Sequence, residues 1–301
     1  DDADVAAGTY RFTVGPLDDG IYTYSTTISG DGNTASSVSS LALTIDNRVP
    51  GTPGAPDMQS ASDTGTSGSD NVTSNTRPIF RVAVDGVKFS ETALLVAGDS
   101  IVLFGNGVQL HTTVLTSTDI TTNGYASVRP DIALTPGTYV FTASAKSSTN
   151  VSGAASTSIT AVIDTAGQSA PGIPDLIAED DAGTSNTDNN TSVVQPRFTV
   201  SLAGTDAVAN DVLELLDSAN TVIGQVMLSA SDISAGSASV APTGTFADGS
   251  LTVKARIKDR ARNIGSASAL LAFVVNTALP AAPVLALTTS SDTGTSATDR
   301  I

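Results

Sequence analysis

The sequence predicts an all-β chain of tandem β-sandwich domains, about seven strands each, arranged as an extended rod. Three observations predict it. Short runs rich in Val, Ile, Thr and Leu alternate with Gly, Asp, Asn and Ser clusters along the whole chain, the pattern of half-buried strands and their turns. One acidic segment recurs at a spacing of about 110 to 118 residues, which marks domain-sized repeats. Between recurrences fall about seven strand-like runs, the number that builds two packed sheets.

The recurring segment is Ser62-Asp63-Thr64-Gly65-Thr66-Ser67-Gly68-Ser69-Asp70-Asn71-Val72-Thr73. It returns as Asp181-Ala182-Gly183-Thr184-Ser185-Asn186-Thr187-Asp188-Asn189-Asn190-Thr191, and begins again at Ser291-Asp292-Thr293-Gly294-Thr295-Ser296-Ala297-Thr298-Asp299. The repeat frame divides the chain into 1–46, the back part of a repeat; 47–164 and 165–276, two complete repeats; and 277–301, the start of another. Pro-punctuated linkers separate them, Asp46 to Pro56, Asp164 to Pro174 and Asn276 to Pro283. Proline restricts its own φ and that of its predecessor, so these linkers allow a limited range of angles.

Taken in order, residues 1–46 hold strand-like runs at Thr9–Val14, Ile21–Ile28 and Ser37–Ile45, with turns at Asp18-Asp19-Gly20 and Asp31-Gly32-Asn33. Asp4 to Gly8 matches Asp232 to Gly236, which anchors this piece in the frame. In 47–164, Pro78 to Val84 opens the apolar pattern, and Ser100–Phe104 and Val108–Leu115 form a hairpin over Asn106-Gly107, a strong tight-turn signal. Ala126–Ile132, the alternating Gly137–Lys146 and Thr157–Ile163 complete it. Residues 85–98, with Asp85, Lys88 and Glu91, are irregular and mark an insertion or short helical turn. In 165–276 the matching runs are Arg197–Leu202, Val212–Leu216, Thr221–Leu228, Gly249–Lys258 and Ala267–Val275.

Asp63 and Asp70 bracket hydroxyls and backbone carbonyls, and Gly65 supplies a backbone angle that turns carbonyls inward. A hard cation such as calcium takes six to eight oxygens from such a supply. A surface turn made of turn-forming residues is the plain alternative; recurrence at the same place in each repeat favours the cation. Zinc and softer metals are poor candidates, since the chain has no Cys and a single His, His111. With each acidic loop placed at the top of its repeat, three ligand sets converge. The first is Asp31, Asn33, Asp46, Asp63, Gly65, Ser67 and Asp70. The second is Asp164, Asp181, Gly183, Ser185 and Asp188, with Asp180 beside them and no acid in the turn Lys146–Asn150. The third is Asp259, Asn263, Asn276, Asp292 and Asp299. On charge, the first set is expected to bind tightest and the second to lack one ligand or one of two ions.

Composition narrows the function. A formal net charge of −16 argues against nucleic acid, which needs clustered Lys and Arg. Crowded carboxylates repel, and a rigid acidic chain needs cations to relieve that repulsion. Aromatic residues are 4% and Trp is absent, so the cores are aliphatic. No stretch is long and apolar enough to span a membrane as a helix, and Asp1-Asp2-Ala3-Asp4 is not a secretory leader. Because the chain starts and stops inside repeats, it reads as a fragment, with sorting signals elsewhere.

The Pro-Xaa-Xaa-Pro linker after Asp46, the segment Ser62–Thr73, and Pro78 with Phe80 resemble the bacterial Ig-like repeats of giant calcium-binding surface adhesins and biofilm-associated proteins. Asp181–Thr191 with Pro196 and Phe198 is similar, as is Asp292–Asp299. Asp259-Arg260-Ala261-Arg262-Asn263 resembles the Asp-Xaa-Ala-Gly-Asn turn of such repeats, with Arg262 where Gly is usual. The resemblance implies Ig-like sandwiches, calcium at the domain boundaries, and a bacterial cell-surface, extracellular location.

Catalysis is poorly supported. A triad needs a positioned base, and His111 sits in a strand as an exposed residue; a paired-carboxylate glycosidase site would want stacking aromatics in a cleft. The chain is therefore read as non-enzymatic: a stalk spacer whose partners are further repeats of its own chain, with any host or matrix receptor outside it. The alternatives are a self-assembling subunit of a filament, sheath or surface layer, joined by self-association or strand exchange, and a carbohydrate- or protein-binding module using Tyr10, Tyr22 and Tyr24.

Overall fold

The computed structural model describes residues 11–28, 36–87, 95–181, 183, 185–285, 288, 290–291 and 295–296. The chain divides into two compact units. The first holds Asp1–Gln168 together with the turn Lys258–Gly265; the second holds Ser169–Ile257 and Ser266–Ile301. Among the described residues no helix is long and apolar enough to cross a membrane.

The first unit begins with an antiparallel pair, β1 (Gly20–Thr26) and β2 (Ser39–Ile45). Both strands were expected; the expected strand at Thr9–Val14 is not, since residues 11–14 form none and the rest of it lies outside the described residues. Then come β3 (Pro56–Met58), β4 (Val72–Thr73), β5 (Phe80–Ala83), β6 (Ser100–Gly105), β7 (Val108–Val114), β8 (Tyr125–Val128), β9 (Gly137–Lys146), β10 (Ser152–Ala155) and β11 (Ile159–Ile163). Among the described residues these form a six-stranded sheet, β4-β11-β9-β6-β7 with β10 on β9, and a three-stranded sheet, β3-β5-β8. Alternation sets the faces: Phe80 and Val82 of β5 are fully buried, while Arg81 points out and lies 4.5 Å over the Tyr125 ring. Phe141, Ala143 and Ala145 of β9 meet them in the core, with Phe80 and Phe141 ring centroids 4.5 Å apart.

The second unit repeats this order with β12 (Asp175–Leu176), β13 (Asn190–Thr191), β14 (Phe198–Ser201), β15 (Val212–Asp217), β16 (Val222–Met227), β17 (Ser237–Val240), β18 (Gly249–Lys258) and β19 (Leu271–Val275). Its described sheets are β13-β19-β18-β15-β16 and β12-β14-β17. Phe198, Leu213, Leu215, Val253, Ala255 and Phe273 form its core. On the other face of β15, buried Glu214 accepts from Arg256 Nε at 2.7 Å. That charge-assisted bond removes the cost of a lone buried carboxylate.

Both units hold more strands than the expected seven. The extra strands common to both are β4 and β13, two residues each, which run parallel to β11 and β19: Val162 lies opposite Val72, and Val274 opposite Asn190. Such short runs carry no alternation for a sequence pattern to show. The turns between Leu115 and Tyr125 and between Leu228 and Ser237 contain short helical segments, Asp119–Asn123 and Ala230–Ala235, instead of loop. Ser229 and Asp232 form a reciprocal capping box, and Thr116 donates to Asp119 in the same way at 2.6 Å. The Ser/Thr-Xaa-Xaa-Asp spacing is the signal that announces such starts. The connection from β5 to β6 (84–99) is longer than that from β14 to β15 (202–211), which is where the irregular stretch was expected; Lys88 and Glu91 lie outside the described residues. Each connection ends on a buried aspartate, Asp99 or Asp211, whose carboxylate takes a backbone N–H from Val96 or Val208.

Replacing Phe198 by Ala removes a fully buried phenylalanine of the second core, and the expected loss is about 3–5 kcal/mol, measured as a fall in the urea midpoint. Ser229→Ala is expected to cost about 1 kcal/mol through the lost cap.

Candidate metal centre

The parallel strands decide where the acidic loops sit. Val162 N–H donates to Asn71 C=O at 2.8 Å and Asp164 N–H to Thr73 C=O at 2.9 Å. The loop 62–73 is therefore fastened to the last strand of its own sandwich, next to Asp164. The second loop is fastened in the same way, with Val274 N–H on Asn189 C=O at 2.9 Å and Asn276 N–H on Thr191 C=O at 2.8 Å.

Each loop is closed by a threonine that the strand buries. Thr73 Oγ1 donates to Ser62 C=O at 2.6 Å, and Thr191 Oγ1 to Asp180 C=O at 2.5 Å. Closure draws the first carboxylate of each loop inside: Asp63 and Asp181 are both 3% exposed. One oxygen is satisfied, since Asn71 N–H donates to Asp63 Oδ2 at 3.0 Å and Asn189 N–H to Asp181 Oδ2 at 3.3 Å. The other, Oδ1 in each, is buried with no hydrogen-bond partner, and so is Asn189 Oδ1. Asn71 and Asn189 hold the same left-handed conformation, φ 57° and 59°. A buried acceptor without a donor is costly, and here the same atom is left over in two loops. Burial pushes the Asp63 carboxyl above its ordinary value, the Asn71 N–H pulls it back, and the Asp70 charge raises it again.

Gly65 serves by its size. Its φ is not left-handed, contrary to expectation; instead an added Cβ would lie 2.5 Å from Arg260 C=O and 2.6 Å from Val72 C=O. The neighbouring Thr66 N–H donates to that Arg260 carbonyl at 2.7 Å. The turn 258–265 thus belongs to the first unit's site. In it Asp259 is 2% exposed. Asn263 gives its N–H to Asp259 Oδ1 at 2.8 Å, and its amide Nδ2 to Asp259 Oδ2 at 2.9 Å and to Asp164 C=O at 2.8 Å. Burial raises the Asp259 carboxyl, the Asn263 hydrogen bonds lower it, and the Asp164 charge raises it further.

This grouping differs from the expected one. The loop 62–73 meets the turn 258–265 and the Asp164 end of β11, not Asp46, because the β4–β11 pairing puts it at the end of its sandwich that carries Asp164; Asp63 has Asp70 as its charged neighbour, and Asp259 has Asp164. Asp46 is instead paired with Arg48, Nε–Oδ1 2.6 Å and Nη2–Oδ2 2.8 Å. In the second unit Asp181 takes the Asn189 N–H, and Asn276 meets the loop through its own N–H on Thr191. Asp180 is taken by Arg197 at 2.9 Å. Ser67 and Ser185 make matching local bonds to Ser69 and Thr187. Asp70 and Asp188 each cap the backbone two residues on. Gly183, unlike Gly65, is uncrowded, its nearest contact being Asn190 C=O at 3.8 Å. Asp31, Asn33, Asp292 and Asp299 lie outside the described residues, as does Tyr10. Among the described residues no three carboxylate, imidazole or thiol side chains group closely enough to hold a metal. The donor set that fits a hard cation is mixed: paired carboxylates, the Asn263 and Asn189 amides and backbone carbonyls. The sequence did not reveal Asn71 and Asn189 as loop formers, although Asn stands at both positions. His111 lies on β7 with Nδ1 2.7 Å from Asp131.

Residues 168–277 match the family model of a bacterial Ig-like domain. No curated protein matches the chain in sequence. Among solved structures the chain is similar to the BSP domain of a biofilm-associated protein (18% identity, 78% of this chain and 32% of that one, TM-score 0.24). It is also similar to fibronectin(III)-like modules of Clostridium thermocellum CbhA (13%, 68% and 87%, TM-score 0.34). A third is the Ca2+-stabilized adhesin of an Antarctic bacterium that binds ice (17%, 85% and 56%, TM-score 0.35). The chain spans about a third of the first of these and just over half of the third.

In metal-free protein, Asp63 and Asp259, whose folded pKa values are raised, penalise the fold while ionised. Stability of the first unit is expected to increase as pH falls from neutral toward the ordinary Asp value near 4. Below that it is lost, as Asp46 and Asp119 are protonated, whose carboxyls Arg48 and Thr116 hold low. Denaturant midpoints across pH measure this, and Asp63→Asn with Asp259→Asn should flatten the rise.

Proposed function

We propose that this chain is a non-catalytic structural segment of an extracellular bacterial surface adhesin, in which calcium at the repeat boundaries rigidifies a stalk. The observation that carries the proposal is the buried, unpartnered Oδ1 at both Asp63 and Asp181. A carboxylate oxygen with no donor wants a cation, and carboxylate, amide and carbonyl oxygens are what calcium prefers. Asp63 with Asp70, and Asp259 with Asp164 and Asn263, would supply oxygens at the first unit's boundary, and Asp181, Asn189 and Asn276 at the second's. When bound, calcium supplies charge neutralisation and fixed coordination. The chain's own part is to close the loop with Thr73, seat it with Gly65, and turn Asn263 between Asp259 and Asp164. The family match over 168–277 supports the bacterial Ig-like reading. Further repeats of the same kind are the expected neighbours, and a receptor would be bound elsewhere.

A second reading, a self-associating subunit, draws on the β1–β2 pair, where Phe12, Ile21, Ile28 and Leu41 are each more than 60% exposed. Sedimentation with and without chelator separates the two: a calcium-independent monomer favours the spacer.

Isothermal titration should show calcium binding that Asp63→Asn weakens at least about tenfold, an amount of about 1.4 kcal/mol. Ion at a hundred times its dissociation constant should stabilise the first unit by about 2.7 kcal/mol. Absence of any calcium heat and of any stabilisation overturns the calcium reading.

A further inference from the structure

Among the described residues, the long edge strands of the two sandwiches are covered in the same way. β7 and β16 each end the order of their sheet, whose opposite ends are the two-residue strands β4 and β13. A long open edge invites another strand to pair with it, and proteins guard such edges with charge, proline, a bulge or a covering segment. β7 (Val108–Val114) and β16 (Val222–Met227) contain no Lys, Arg, Asp, Glu or Pro, and Val108, Val114, Val222 and Met227 are exposed. Both do carry a bulge, at the same place. Leu103 pairs with His111 and Phe104 with Gln109, which leaves Leu110 over. Leu215 pairs with Gly224 and Leu216 with Val222, which leaves Ile223 over. The side chains of Leu110 and Ile223 pack against the two cores.

A crossing segment meets each bulge. In the first unit it is 129–134, between β8 and β9; in the second it is 241–246, between β17 and β18. Asp131 N–H donates to Leu110 C=O at 3.1 Å, and Thr243 N–H to Ile223 C=O at 2.7 Å. The proline before each donor is held by another element. Arg77 Nε donates to Pro130 C=O at 2.9 Å, and Gln195 Nε2 to Pro242 C=O at 2.7 Å. Further along, Leu134 N–H donates to Thr76 C=O at 2.9 Å, and Phe246 N–H to Val194 C=O at 2.7 Å. The attachments recur although the side chains differ. The residue after each bulge is also fitted to its crossing segment. In the first unit it is His111, with Nδ1 2.7 Å from Asp131 Oδ1. In the second it is Gly224, where an added Cβ would strike the Ala241 carbonyl, so the segment lies against bare backbone.

We infer that 129–134 and 241–246 are straps that shut β7 and β16 against strand addition, so that copies of the chain do not join sheet to sheet through these edges. The strap takes the place of the missing edge charges: it occupies the bulge carbonyl that an incoming strand would use. A freed strap leaves an uncharged edge of seven residues on β7 or six on β16, and the strand that fits it is the same edge of a second copy. The inference does not depend on the calcium reading.

Hydrogen–deuterium exchange and sedimentation velocity on the whole chain, both in chelator, test it. Gly224→Ala should push the second strap away. Exchange at Thr243 and Phe246 should quicken by about tenfold, the effect of one lost hydrogen bond. The variant should associate more strongly than the parent chain, with exchange slowed in 222–227 in the associated species. Gln195→Ala, at an exposed position that leaves β16 itself unaltered, should move both readouts the same way, and it decides the matter if Gly224→Ala costs the fold by far-ultraviolet dichroism. Gly244→Ala, where an added Cβ meets nothing, should move neither. A strap loosened in these variants without added association overturns the inference. So does association that leaves 222–227 unprotected, or a strap that stays protected in every variant that folds.

Discussion

A carboxylate closed inside a loop with one oxygen unmatched is the constraint around which the rest of the first unit is arranged. Thr73 pulls the loop shut, β4 ties it to β11, and Gly65 lets the carbonyls of Arg260 and Val72 come close. Together they keep Asp63 buried with the Asp70 charge beside it. In water, such oxygens would be hydrated; inside the loop, they need a positive centre or a proton. The upward displacement of the Asp63 and Asp259 carboxyls is the same fact expressed as acidity.

The second unit shows how the design tolerates substitution. Where the first loop opens with Ser62, whose hydroxyl takes the Ile79 N–H at 3.0 Å, the second has Asp180, whose carboxylate takes the Arg197 N–H and guanidinium. A neutral pair became an ion pair at the same site without moving the backbone bond. Asp181 keeps the orphaned oxygen of Asp63. What persists between the loops is the backbone frame and one carboxylate atom; the surrounding side chains vary.

Much of this was legible in the sequence because strands carry a period. The hairpin over Asn106-Gly107, the alternation of Gly137–Lys146 and the match of Phe80 with Phe198 all became strands in the expected places. The sets of gathered residues were not legible, because they depend on a two-residue parallel pairing between distant segments. Val72-Thr73 has no pattern of its own; only β11 beside it makes it a strand. Placing the acidic loop at the other end of its sandwich exchanged Asp46 for Asp164 among its neighbours.

The stacking of Arg81 on Tyr125 has a practical corollary. All tyrosines of the chain, residues 10, 22, 24, 125 and 139, fall within the first unit, and there is no tryptophan. Tyrosine emission is therefore a reporter of that unit alone, while the second holds only the weakly emitting Phe198, Phe246 and Phe273. A chain of two units need not unfold in a single step. Disagreement between emission and far-ultraviolet dichroism would resolve the two transitions without any label.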